Sequence, residues 1–118
     1  ISTSGQLPLI SGSLPMTGLV GDQISQGDAA GQARVAALNA LAAAADVAGG
    51  VNNIRRVIRV VVYVASAADF TAQPAVANGA SELFGEIFGD AGRHIRSAIG
   101  VASLPLGAPV KVELTVQV

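Results

Sequence analysis

Few residues in this 118-residue sequence are of the types that perform chemistry. There is no cysteine, and His94 is the one histidine. These counts exclude thiol catalysis, iron–sulfur sites and disulfide scaffolds, and they leave too few ligands for most zinc sites. No glycine has the spacing of a phosphate-binding loop ahead of a helix. We therefore expect no metal and no organic cofactor, and the remaining candidates are His94, the arginines and the glutamates.

His94 has two interpretations. It could pair with a serine, as the base beside a nucleophile does, although no Ser-His-Asp set is evident from the sequence. It also follows the glycines that end a helical segment, where a histidine commonly caps the preceding turn. We favour the capping role.

Three arginines lie close together in an apolar segment. Arg55 and Arg56 are expected to be surface charges paired with acidic neighbours. Arg59 stands between Val57 and Val61 on a face that is half apolar and half cationic, too apolar for open water and too charged for a dry core. We place that face at a contact between subunits, with Arg59 in an interfacial ion pair.

The composition narrows the class of protein. Hydrophobic residues make up 51% of the chain, charged residues 13%, and the net charge is −1, which excludes an intrinsically disordered chain. Seven basic residues against eight acidic ones, with 3% aromatics, do not form a nucleic-acid surface. A small domain this apolar is expected to hide part of its surface in an assembly.

The chain is expected to be a single domain, residues 1–118, in the cytoplasm. No apolar run approaches the roughly 18 residues that span a bilayer, and no secretion signal opens the chain. The sequence starts at Ile1, which already reads as strand, so we expect that N-terminal residues are missing.

Hydrophobic periodicity predicts a strand, a helix, a strand, a helix and two strands. Their bounds are 1–7, 25–48, 54–66, a helix after Pro74, 97–103 and 110–118. Ser25 is the predicted N-cap of the first helix, whose interior is nearly all alanine and must lie close against a sheet. In the central strand, strict alternation puts Ile58 on the face of Val60 and puts Val57 on the face of Arg59. The fold class is α+β, with both helices on one side of a sheet.

The C-terminal third carries a more specific signal. Arg96 and Ser97 stand at the mouth of a strand, ahead of Leu104-Pro105, and the final strand begins Val-Lys-Val-Glu and so presents Glu113. With the opening SGQLP segment and the Val-Tyr-Val…Asp-Phe pattern of the central strand, these residues resemble the RidA (YjgF) family of reactive-intermediate deaminases. The resemblance runs through most of the chain and indicates a divergent branch of that superfamily.

The resemblance implies a homotrimer of chorismate-mutase-like subunits with ligand clefts between neighbours. Carried over by position, Arg96 matches the arginine that grips the substrate carboxylate, and Glu113 matches the glutamate that positions the attacking water. Ser97, Gly5 and Gln6 fall near the same cleft. An arginine fork suits a small carboxylate, and imine hydrolysis needs only water and proton transfer.

Three positions depart from the family pattern. Ala98 replaces a frequent cysteine, Ile95 replaces a small residue, and the tyrosine that precedes the SGQ strand in the deaminase type lies outside this chain. Two functions stay open: hydrolysis of 2-imino or enamine acids to 2-keto acids and ammonia, or non-catalytic binding of a small carboxylate metabolite by the trimer. Arg96 could instead form an intersubunit ion pair, with Glu113 as a possible partner.

Overall fold

The computed structural model describes residues 1–118 and contains two long helices, the first of which is rich in alanine. Helix α1 spans Gln26–Ala48, and the Ser25 hydroxyl accepts a hydrogen bond from the Asp28 amide as its N-cap. Gly49 ends it in the left-handed region at φ 85°, which glycine adopts without strain. Helix α2 spans Gln73–Phe88 with a proline in its first turn, and a 3₁₀ turn, Gly89–Gly92, follows it. These predicted helices are confirmed.

Three strands form one mixed sheet. They are β1 (Arg56–Ala65), β2 (Ile95–Val101) and β3 (Val110–Gln117), in the spatial order β2-β1-β3. Strand β1 is parallel to β2 and antiparallel to β3. The two helices pack on one face of this sheet, so the α+β class is confirmed.

The face assignment in the first part of β1 was wrong. The pairing with β3 shifts register between Val57 and Arg59, which marks a β-bulge. The extra residue turns Val57 toward the helices, where it is fully buried, and leaves Ile58 41% exposed. From Val60 onward the predicted alternation holds, because Val60, Val62 and Val64 are all buried.

The N-terminal segment is not a regular strand. It touches β3 through isolated bridges, Ser2 to Thr115 and Gln6 to Val112, along the edge that β1 leaves free. The backbone N–H and C=O of Gln6 both bond to Val112, at 2.8 and 2.9 Å. Proline at position 8 prevents this pairing from continuing as a ladder.

The core lies between the helices and the sheet and uses small residues on α1. Alanines fill its buried face together with Leu41, while valines of β1 and β3 and Phe84 of α2 supply most of the volume. At Gly79 of α2 a side chain would force α2 away from α1, because a Cβ there would lie 1.9 Å from the backbone oxygen of Ala30 on α1. This close approach fixes α2 against α1 and hence the position of the polar face of α2. No helix has both the length and the apolar character that crossing a membrane requires.

Candidate functional site

Arg96 lies on the edge strand β2 and reaches toward helix α2. Its backbone pairs with Val60, whose side chain faces the helices, so the arginine side chain points to the same side. Its Nη1 donates to Oδ1 of Asn78 at 2.8 Å and to Oγ of Ser81 at 3.2 Å. Asn78 and Ser81 are three residues apart on α2 and therefore share one helix face. The two neutral acceptors hold one nitrogen of the guanidinium and leave its Nε and Nη2 without a hydrogen bond.

Arg96 has no carboxylate partner. The ion pairs in the chain are Arg34 with Glu86, and Arg93 with Asp90 at 3.7 Å. The Arg96 side chain is exposed on the outer edge of the sheet. It is thus a fixed, uncompensated cation with part of its fork free, which is the geometry that a carboxylate ligand needs.

His94 contacts the same network from the turn before β2. Its Nδ1 lies 2.6 Å from the carbonyl oxygen of Gly92, and its Nε2 lies 2.9 Å from Oγ of Ser81. A carbonyl can only accept, so Nδ1 carries the hydrogen. In the neutral ring Nε2 then accepts from the Ser81 hydroxyl. The predicted capping contact is present, and so is a contact with a serine, which the sequence analysis gave as the less favoured interpretation without naming Ser81.

The position of His94 follows from the turn that precedes it. Gly92 is buried against helix α2, where a Cβ would lie 2.3 Å from the carbonyl oxygen of Phe84. The Phe84 ring meets the His94 ring edge to face, at 6.0 Å between centroids. Tight packing at Gly92 and the aromatic contact together bring the imidazole over Ser81.

Glu113 lies on the other face of the sheet. It pairs with Val61, the neighbour of Val60, and lines a cavity of about 270 Å³ together with Arg59 and Tyr63. Burial of the Tyr63 side chain, followed by the negative charge of Glu113, raises the pKa of the Tyr63 phenol. The Lys111 ammonium lies 4.9 Å above the Tyr63 ring. This second polar group combines two cations, a phenol and a carboxylate on one face of the sheet.

The remaining predicted residues divide between the two edges. Ser97 pairs with Val61 and therefore faces the side of Glu113, next to Arg96 in sequence but on the opposite face. Gly5 and Gln6 lie beyond β3, where the Lys111 side chain packs against Gly5. Arg96 stands on the β2 edge, and the N-terminal segment stands on the β3 edge.

Within one chain, therefore, the predicted site is in two parts. One part is Arg96, with Asn78, Ser81 and His94, which sequence reasoning did not assign to the site. Their signal in the sequence was the three-residue spacing of Asn78 and Ser81 on the polar side of an amphipathic helix. The other part is Glu113 with the groups around Tyr63.

Comparison with known proteins places the chain in a family. Residues 1–118 match the family described as "YjgF/chorismate_mutase-like, putative endoribonuclease". The chain belongs to the YjgF family. Among curated relatives of this YjgF-family protein, Protein TCP17 of Trypanosoma cruzi is 39% identical over 118 residues, which cover 99% of this chain and 74% of TCP17.

Solved structures repeat the YjgF fold closely. The protein Atu1372 of Agrobacterium tumefaciens, of unknown function, is 42% identical with a TM-score of 0.95, over 99% of this chain and 75% of its own. A "putative endoribonuclease" of Shewanella oneidensis is 31% identical, also with a TM-score of 0.95, over 99% of this chain and 78% of its own. The predicted membership of the RidA (YjgF) family is thereby confirmed.

Proposed function

We propose that this YjgF-family protein is a small-carboxylate cleft protein that hydrolyses 2-imino or enamine acids to 2-keto acids and ammonia. The observation that carries the proposal is the state of Arg96. It is exposed, held in place by Asn78 and Ser81, and free of any carboxylate of its own chain. A cation positioned in this way binds the carboxylate of a small substrate through its free Nε and Nη2.

The second part of the proposed machinery is Glu113. Hydrolysis of an imine requires a water to add to the C=N carbon and a proton to reach the departing nitrogen. A carboxylate can orient that water and take up its proton. Glu113 makes no ion pair in this chain, so its charge remains available for the task.

Arg96 and Glu113 cannot act on one small molecule within a single chain, since they occupy opposite faces of the sheet. The β2 edge carries Arg96, and the β3 face and edge carry Glu113, Gly5 and Gln6. A neighbouring copy that brings its β3 side against the β2 edge would unite the two parts. We therefore propose a homotrimer with clefts between subunits, in which each cleft takes Arg96 from one copy and Glu113 from the next.

A second candidate is a binding module that holds a small carboxylate without converting it. The completeness of the Arg96 network within one chain favours this candidate, because binding at Arg96 does not need Glu113. Both candidates share the carboxylate site and differ in the role of Glu113.

Nuclease activity, which some descriptions in the family name, is not proposed for this chain. The net charge is −1, and two of its cations, Arg34 and Arg93, are paired with carboxylates. A phosphate backbone favours an excess of cations, which seven basic residues against eight acidic ones do not supply.

The deciding experiment measures the consumption of 2-imino acids generated in situ, relative to the spontaneous rate in water. We expect acceleration by the wild type, and loss of acceleration in Arg96→Ala and in Glu113→Gln. Arg55→Ala, which removes an exposed arginine elsewhere, serves as the matched control. A wild-type rate equal to that in water, with 2-keto acid binding retained, would favour the binding module over the enzyme.

A further inference from the structure

Basic residues are concentrated at one end of the sheet. Five of the seven lysines and arginines lie within residues 55–59 and 93–96, where β1 and β2 begin, and neither segment contains an acidic residue. Because these two strands are parallel, their first residues lie side by side, with Arg59 paired to Ile95. The rest of the chain holds two basic residues and all eight acidic ones. The net charge of −1 therefore averages a cationic end of the sheet with an acidic remainder.

The β-bulge of β1 turns one of these cations away from the core. Strict alternation from Val60 would direct Arg56 toward the helices, where an unpaired charge is costly to bury. With the extra residue, Val57 takes the helix side, and Arg56 faces the side of the sheet that the helices leave uncovered. Arg56 pairs with Gln117 of β3, so these two side chains lie next to each other there.

A cavity of about 500 Å³ opens at this end of the sheet, and Arg56 lines it. Arg93 and His94 line it from the turn before β2. No acidic residue lines the cavity, and Arg56 makes no ion pair. Apolar side chains form part of its wall, among them Ile58 and Ile95, which are 41% and 66% exposed. The cavity thus combines two guanidiniums and an imidazole with an apolar wall.

The ion pair of Arg93 leaves its charge available. Asp90 lies 3.7 Å from Nε of Arg93, and both side chains are almost fully exposed. The contact is too long for a hydrogen bond. An exposed pair of this kind contributes little to stability, since water solvates both partners. The Arg93 guanidinium can therefore exchange Asp90 for a ligand in the cavity.

We propose that this cavity binds a phosphate monoester with a small apolar body, at a site separate from Arg96. A phosphate dianion supplies one charge for each of the two guanidiniums, whose planar N–H groups match its oxygens. The apolar part of the ligand covers Ile58 and Ile95, which removes their exposed surface from water. Arg96 points to the helix side of the sheet and does not line the cavity. The two sites therefore use different arginines, and the phosphate site does not depend on the proposed carboxylate site.

Phenyl phosphate is a suitable probe at pH 8, where it carries two charges because the second pKa of a phosphate monoester is about 6. Binding would be followed by NMR through the ring signals of His94, which is the one histidine in the chain. We expect saturable binding at millimolar concentration that weakens as salt is added. Phenol lacks the charge and inorganic phosphate lacks the ring, so each should bind at least about three-fold more weakly.

Variants that remove one charge locate the site. Arg56→Gln and Arg93→Gln should each lower the affinity for phenyl phosphate about three- to ten-fold, because each removes one charged contact. Arg55→Gln makes the same change at an exposed arginine that does not line the cavity, and it is the matched control. Asp90→Asn should raise the affinity up to about three-fold, since it removes the carboxylate that competes for Arg93. All four side chains are exposed, so the fold should tolerate these substitutions.

Four results would overturn the proposal, whatever the outcome of the imine-hydrolysis assay. An equal loss of affinity in Arg55→Gln and Arg56→Gln would indicate a general effect of charge. Binding that survives both Arg56→Gln and Arg93→Gln would lie elsewhere on the protein. Displacement of phenyl phosphate by pyruvate at constant ionic strength would assign it to the Arg96 site. If millimolar phenyl phosphate leaves the ring signals of His94 unchanged, the cavity does not bind it.

Discussion

Arg96 and Glu113 lie on opposite faces of one sheet. Strand β1 lies between them, since Arg96 pairs with Val60 and Glu113 pairs with Val61, the next residue along the strand. Adjacent residues of a strand point to opposite sides, so the guanidinium and the carboxylate are separated by the backbone layer. An ion pair between them within one chain is excluded by this register, and any joint action requires a second copy.

The carboxylate site gives the first prediction. Arg96→Ala should cost about 2–5 kcal/mol of binding free energy for a small 2-keto acid, the range for truncating one member of a charge pair that, in the proposed cleft, the neighbouring copy desolvates. Arg96→Lys should recover only part of the lost binding free energy, because an ammonium cannot make two parallel contacts with a carboxylate. Titration calorimetry measures both. Unchanged affinity in Arg96→Ala, with the assembly intact, would remove the carboxylate site from the account.

The second prediction concerns assembly through the face of the sheet that the helices do not cover. Arg59→Glu reverses a charge beside Val61 and Tyr63 on this face, and it should weaken or abolish the trimer if the face is buried between copies. Arg55→Glu makes the same charge change at an exposed position before β1 and should leave assembly unchanged. Sedimentation velocity at micromolar concentration distinguishes them. A monomeric wild type would argue against shared clefts altogether.

The third prediction concerns the contact between helices that positions the polar face of α2. Gly79→Ala should lower the free energy of unfolding by about 1–3 kcal/mol, because its Cβ would collide with the backbone of Ala30. Gly85→Ala in the same helix is the matched control, since nothing lies within 4 Å of a Cβ there, and it should be neutral or stabilising. Urea unfolding gives both values. If Gly79→Ala and Gly85→Ala have equal free energies of unfolding, α1 and α2 do not approach each other closely at Gly79.

The fourth prediction concerns the stability of the fold at alkaline pH. The pKa of Tyr63 is raised in the folded protein, so the neutral phenol stabilises the fold below the unfolded value of about 10. That contribution is lost as the pH rises through the folded value. The difference in unfolding free energy between wild type and Tyr63→Phe should therefore fall above about pH 10. Glu113→Gln should make this fall in stability smaller, because it removes the negative charge that helps to raise the pKa of Tyr63. If the difference in unfolding free energy between wild type and Tyr63→Phe does not change with pH, the pKa of Tyr63 is not raised in the folded protein.

Periodicity and caps were sufficient to predict the helices, because Ser25, Gly49 and Pro74 act locally on the backbone. The alternation of β1 failed at Val57 and Ile58, since a bulge depends on pairing with β3 and leaves no mark in the strand itself. The contact of Ser81 with His94 joins residues thirteen apart across a turn. Its geometry depends on Gly92 packing against Phe84, a tertiary contact that no local pattern encodes.

Local sequence patterns also do not predict that the candidate site is divided between the two faces of the sheet. A resemblance in sequence assigns Arg96 and Glu113 to one cleft but does not say whether one chain supplies both. Register answers that question for the single chain, because Val60 and Val61 direct their partners to opposite faces. We propose that assembly of several copies brings the two parts together.

The most direct test of the shared cleft mixes two inactive variants. Arg96→Ala and Glu113→Gln would be refolded together in equal amounts and assayed for consumption of 2-imino acid. If each cleft takes Arg96 from one copy and Glu113 from the next, about one quarter of the clefts in random mixed trimers are intact, and activity should return to about that fraction of wild type. If the mixture stays as inactive as each variant alone while the wild type is active, the two residues do not act together across a subunit boundary, and the central claim is wrong.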